Sequence, residues 1–154
     1  MASTILVKVD SGYVPQDEDV LAVLRLWEIP CTGARPSVLP AGVTAVHSAT
    51  LGLSGQRPPT VTAAHRAVPE LFELLARWYR GAQEYVGLVD FSSATVNFDY
   101  AAARHRDAGN RGLSATKALG GFSGGELRLW IDDMGLGPVD DLDEREASII
   151  SLNE

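Results

Sequence analysis

Between residues 97 and 127 the chain reads Asn97-Phe98-Asp99-Tyr100, then His105-Arg106-Asp107, then Asn110-Arg111-Gly112-Leu113-Ser114. It closes with Ala118-Leu119-Gly120-Gly121-Phe122-Ser123-Gly124-Gly125-Glu126-Leu127. The His105-Arg106-Asp107 triplet is the centre of this block. In an extended chain successive side chains point to opposite faces, so His105 and Asp107 share one face and Arg106 points away. An imidazole nitrogen beside a carboxylate oxygen is how two adjacent metal ligands are presented. Iron(II) held by two histidines and one carboxylate keeps open positions for other ligands. The Gly124-Gly125 pair supplies the positive φ of a tight hairpin, and 126–131 then alternates as a strand. These glycines are not a phosphate loop, because no Gly-Lys-Ser/Thr follows them.

Outward from this block, the pattern predicts strands over 86–91, 94–100, 113–119 and 126–131, separated by Gly, Asn and Asp turns. Earlier in the chain two helices are legible. Over 17–27, Val20, Leu21, Val23, Leu24 and Trp27 recur at near-helical spacing behind Asp17, Glu18 and Asp19, which suit a positive helix N-terminus. Over 69–83, Pro69 fits the first helical position, and Leu71, Leu74, Leu75, Trp78 and Tyr79 form one apolar stripe. That stripe reads as scaffold, with Gly81 and Gly87 near its end. Short strands are expected at 5–9 and 44–53, with loop composition from 29 to 42. Helices followed by consecutive strands make an α+β fold with antiparallel sheets.

The block as a whole resembles the iron(II)- and 2-oxoglutarate-dependent dioxygenases, including the branch that hydroxylates thymine and methylcytosine. The resemblance covers about residues 95 to 130. It implies a double-stranded β-helix, a jelly roll of eight main strands, here partial, with the N-terminal helices packed against it. It implies Fe(II) and 2-oxoglutarate as cofactors, His105 and Asp107 as iron ligands, and Asn97 or Tyr100 as contacts to 2-oxoglutarate. Such enzymes place a second histidine on a later strand, followed by a basic residue. No histidine follows Asp107, and about 24 residues follow Trp130, with room for one short strand over 147–152. The expectation is therefore a single domain over 1–131: residues 1–90 support it and 91–131 form the first half of the β-helix, truncated at its C-terminus. Three readings compete: a hydroxylase with an incomplete iron site, an inactive remnant serving as an interaction module, and a metal-free small-molecule pocket of the jelly-roll type. Half a β-helix leaves strand edges unpaired, which favours a homodimer.

Other residues read more plainly. His47 and His65 are expected to be surface or hydrogen-bonded histidines, Lys117 a solvent-facing lysine, and Asp132 and Asp133 oxygen donors without the expected nitrogen. Cys31 is the one cysteine, so no intrachain disulfide forms, and a small buried side chain is its ordinary role. The net charge of −7 is concentrated at the end. From Asp132 onward eight acids stand against Arg145, while residues 1–131 balance at 12 acids and 12 bases. Residues 132–154 thus read as an acidic, solvated tail that repels phosphate backbones, which disfavours nucleic acid as a partner. No apolar run suits a membrane span, and the first ten residues lack the basic and apolar regions of a secretory signal, so an intracellular chain is expected. The substrate is not encoded in any pattern of this sequence.

Overall fold

The computed structural model describes residues 12–33, 38–55, 58–86, 90–107 and 112–152, with the backbone alone at 82–86, 143 and 144. The expected strand over 5–9, together with Gly87, Asn110 and Arg111, lies outside the described residues. The described chain is α+β. Helix α1 (Asp17–Leu24) is followed by strands β1 (Cys31–Thr32), β2 (Val46–Ser54) and β3 (Thr60–Val61). Helices α2 (Ala63–Ala67) and α3 (Pro69–Val86) follow, then β4 (Ser93–Phe98), β5 (Leu127–Leu129), a 3₁₀ segment (Val139–Glu144) and β6 (Ser148–Ile150).

The nine-residue strand β2 organises the larger sheet. It pairs antiparallel with β4 from His47↔Phe98 to Gly52↔Ser93, with β1 at its start and with β3 at its end. Paired residues share a face, so the register sorts the two sheet faces. Ala49, Leu51, Ala94 and Val96 fall on one face, against which the helices pack. Ser48, Thr50, Thr95 and Asn97 fall on the other. There Ser48 Oγ donates to Asn97 Oδ1 at 2.7 Å, and the Thr50 and Thr95 hydroxyls meet at 2.9 Å.

The core lies between the apolar sheet face and two helices. Val20 and Val23 of α1, Leu51 of β2, and Leu71, Leu74 and Leu75 of α3 are buried together. Leu51 and Leu74 are wholly excluded from solvent, each contributing about 1.5–3 kcal/mol of transfer free energy. Polar ties reinforce this packing. The Trp78 indole N–H donates to Asp17 Oδ1 at 2.9 Å, and Lys117 Nζ lies 2.8 Å from Asp17 Oδ2 and 5.5 Å from the Trp78 ring centre. Asp17 thereby joins α1, α3 and the 112–119 segment. Lys117 keeps half of its side chain exposed, as expected, while its ammonium pairs with this carboxylate.

Several boundaries differ from the pattern for identifiable reasons. α1 stops at Leu24, and residues 25–27 tighten into i→i+3 turns, with Leu26 N–H donating to Val23 O and Trp27 N–H to Leu24 O. Ile29, next to Pro30, is disfavoured from helical geometry, so the helix has little room to continue. α3 runs to Val86 and absorbs the start of the strand expected over 86–91. Gly81 does not end it: a Cβ there would collide with Val14 Cγ1, so the glycine lets Val14 lie close against the helix. The strand expected over 113–119 does not form. Among the described residues the segment pairs with no strand, and it is held by Lys117 and Leu119 reaching α1, α3 and the core. Cys31 is exposed in β1 rather than buried.

The acidic C-terminal stretch is part of the fold. β6 pairs antiparallel with β5, and Leu142 of the 3₁₀ segment is buried to 3% exposure. Among the described residues no helix is long and apolar enough to cross a membrane.

Candidate functional site

Asp99, at φ +46°, ends β4 and turns the chain into the irregular stretch that carries His105 and Asp107. These residues therefore do not sit on a strand as the spacing suggested. The alternation survives nonetheless, because the side chains of 104–107 are tied down two by two.

Arg104 and Arg106 face the C-terminal stretch. Arg106 forks onto Asp133, with Nε donating to Oδ2 at 2.6 Å and Nη2 to Oδ1 at 3.0 Å. It also donates to the carbonyls of Gly137 at 2.7 Å and Leu136 at 3.3 Å. Asp133 takes a further bond from Arg145 Nη1 at 3.2 Å. Arg104 lies 3.5 Å from Asp140 Oδ1, with its guanidinium 5.9 Å from the Trp130 ring centre. Paired N–H···O bonds of this kind fix orientation as well as proximity. The backbone on both sides of His105 is thus anchored to residues 130–145.

His105 and Asp107 meet each other on the remaining side. His105 Nδ1 lies 2.7 Å from Ala103 O, and Nε2 lies 3.5 Å from Asp107 Oδ1. A carbonyl only accepts, so Nδ1 carries the proton and Nε2 presents its lone pair when the ring is neutral. Two acceptors then face each other across 3.5 Å, an arrangement that a cation between them would satisfy. Donors about 2.1 Å from one ion at a right-angled or tetrahedral separation stand roughly 3.0–3.4 Å apart. The observed spacing fits that edge with little movement. An Nδ1–H held by a carbonyl is also the usual support of an Nε2 metal ligand. Side-chain exposures of 28% and 46% leave both groups reachable from solvent.

An iron site needs a third protein donor, and among the described residues no three His, Cys, Asp or Glu side chains converge. His47 is elsewhere, with Nδ1 2.8 Å from Ile29 O, and the His65 ring packs edge-on against Phe72 while its backbone N–H donates to Thr62 Oγ1. Asp133, weighed from sequence as a spare oxygen donor, is committed to Arg106 and Arg145. The described residues fit two positions of an iron centre and not the complete set.

The two residues singled out for 2-oxoglutarate sit apart in their surroundings. Asn97 is on the polar sheet face, its Oδ1 occupied by Ser48, which leaves its amide N–H groups to donate. Tyr100 donates its hydroxyl to Val38 O at 2.7 Å, and its ring lines a shallow cavity of about 220 Å³ together with His47, Phe98 and Asp99. Comparison with models of known protein families, with curated proteins and with solved structures finds no match.

The two ion-pair centres set a pH dependence. Hydrogen bonding from Arg106, helped by the Gly135 N–H and by Arg145, holds the Asp133 carboxyl below the usual carboxylate range. Hydrogen bonding from Lys117, then from Trp78, does the same for Asp17. A depressed carboxyl binds fewer protons folded than unfolded. Its stabilisation is therefore complete above the unfolded value of about 3.9 and is lost as pH falls through the lower folded value. Near-UV circular dichroism, which sees Trp78 beside Asp17 and Trp130 beside Arg104, should show an acid transition below about pH 4. An unchanged transition in the Asp17→Asn, Asp133→Asn double variant would show that other groups set it.

Proposed function

We propose that this chain provides two of the protein ligands of an iron(II)- and 2-oxoglutarate-dependent oxygenase, on part of a double-stranded β-helix. The observation that carries the reading is His105 Nε2 facing Asp107 Oδ1 at 3.5 Å, with Nδ1 already engaged by Ala103 O. The resemblance of residues 95 to 130 supplies the identity of the metal and cosubstrate. Bound iron would supply oxygen activation for hydroxylation of a substrate whose class stays open. This chain's own contribution is narrower. His105 and Asp107 donate a nitrogen and an oxygen, Arg104 and Arg106 hold the intervening backbone still, and the Asn97 amide offers N–H donors to a carboxylate. The third donor would come from beyond the described residues or from another chain.

A second reading has its own observation. Around the β5–β6 pair, Ile131, Met134, Leu136 and Ile149 are each more than 60% exposed. A two-stranded sheet with such a surface suits association with a second copy of the chain, with no catalysis required. One sample separates the two readings. Anaerobic iron(II) titration with 2-oxoglutarate should give a visible charge-transfer band at one iron per chain, and His105→Ala should abolish it. A folded protein that sediments as a dimer and gives no band would replace the oxygenase reading with the interaction module.

A further inference from the structure

The cavity beside the β4 end includes Tyr100, which the resemblance offered to 2-oxoglutarate, but its lining suits a ligand of the opposite charge. Its walls are Pro40, Val43, Ala45 and Val46 with three rings, those of His47, Phe98 and Tyr100, and its one charged lining residue is Asp99. Among the described residues no lysine or arginine lines it. The volume of about 220 Å³ suits a group the size of a methylated ammonium rather than a large ligand.

The rings are held in place before any ligand arrives. His47 is fixed by Nδ1, 2.8 Å from Ile29 O, and Tyr100 by its hydroxyl on Val38 O at 2.7 Å. The His47 and Phe98 rings stand nearly perpendicular, at 85°, with centres 6.5 Å apart, as adjoining walls of one corner. β2 and β4 fix that corner, because His47 and Phe98 are register partners on the sheet. Asp99 occupies φ +46°, a backbone region that an aspartate adopts at some cost. That backbone places an acidic residue at the rim of an aromatic corner.

Aromatic faces carry negative potential, and a desolvated cation over them is attracted without needing a hydrogen bond. A carboxylate at the rim adds long-range attraction of the same sign. It also repels dicarboxylates, which separates this cavity from the cosubstrate expected near His105. We infer that the cavity between His47, Phe98, Asp99 and Tyr100 binds an organic monocation of the alkylammonium type, free or on a lysine side chain.

The test is a ¹⁵N-resolved NMR titration of the full chain with three probes: choline, N-acetyl-trimethyllysine amide, and the neutral tert-butyl isostere of choline. Saturable shifts confined to residues 43–47 and 98–101 are expected with the cations, and binding about tenfold weaker with the neutral isostere. Tighter binding of the lysine derivative than of choline would assign a protein side chain as the source, and the reverse a small metabolite. Phe98→Ala, at a position 63% exposed and outside the core, should weaken the cations about tenfold. Asp99→Asn keeps a residue tolerant of positive φ while removing the charge, and should weaken cations and leave the neutral isostere unmoved. Equal binding of charged and neutral probes, or no saturable shift in protein with a wild-type spectrum, overturns the inference.

Discussion

Replacing Gly52 with alanine is expected to remove about 3 kcal/mol or more of folding stability, a large share of what a domain of this size possesses. Gly52 is buried in the middle of β2 at φ +93°, opposite Ser93. A side chain there is strained by the backbone alone, and its Cβ would also run into the Ser92 carbonyl and stand 3.0 Å from the Phe72 ring. The carbonyl cannot retreat cheaply, because Ser92 O accepts from Leu53 N–H at 2.8 Å. Gly55 is the internal control. Its φ is +97°, yet nothing lies within 4 Å of the Cβ position, so Gly55→Ala should cost only about 1 kcal/mol. Urea denaturation of both variants isolates the steric part. Equal losses would mean that β2 and the Ser92 turn part easily, and that the core rests less on this close approach than the structure indicates.

Removing the Asp133 carboxylate has the second large effect, local rather than global. Asp133→Ala leaves Arg106 without its forked acceptor and Arg145 without its partner, so residues 130–150 should release from the 104–107 backbone. Asp133 is only 13% exposed, which shields these bonds from the salt that weakens open surface pairs. Hydrogen exchange is the direct measurement. Amides of the 3₁₀ segment and β6 should exchange at least tenfold faster, while those of α3 and β2 keep their protection. Arg106→Ala should give the same pattern, and the double variant less than the sum of the two, because the fork is lost in all three while the Arg145–Asp133 bond and the Arg106 bonds to Gly137 and Leu136 are each lost in only one single variant. Additive effects would show that the two side chains act through separate contacts. Arg106→Lys should recover little, since an ammonium cannot reproduce the fork.

What could be read in the sequence follows the range over which each signal acts. The Leu71–Tyr79 stripe located α3, and alternation over three residues put His105 and Asp107 together with Arg106 turned away, although no strand carries them. Those are local periodicities. The 113–119 strand failed because alternation marks a chain able to pair, and pairing also needs a neighbour, which this segment lacks among the described residues. Gly81 was legible only as a glycine near the helix end, while its role depends on Val14, 67 residues away. The acidic residues after 131 read as a solvated tail because nothing local indicates that Asp133 has two arginines waiting. Arg106 sits between the two candidate ligands, so its orientation was inferred correctly, but its destination lay 27 residues off and left no local trace.

That separation also sets an order of events as the chain folds. The α1–α3–β2 core assembles from residues before 97, whereas the Arg106–Asp133 fork must close a loop of 27 residues first. Closure on that scale opposes assembly by about 3 kcal/mol. The fork therefore belongs to the late steps, after the core has reduced the freedom of the chain. On a ribosome, His105 and Asp107 emerge before the acid that steadies their backbone. A nascent chain arrested between Asp107 and Asp133 would carry both candidate ligands without the Arg106–Asp133 fork that steadies their backbone.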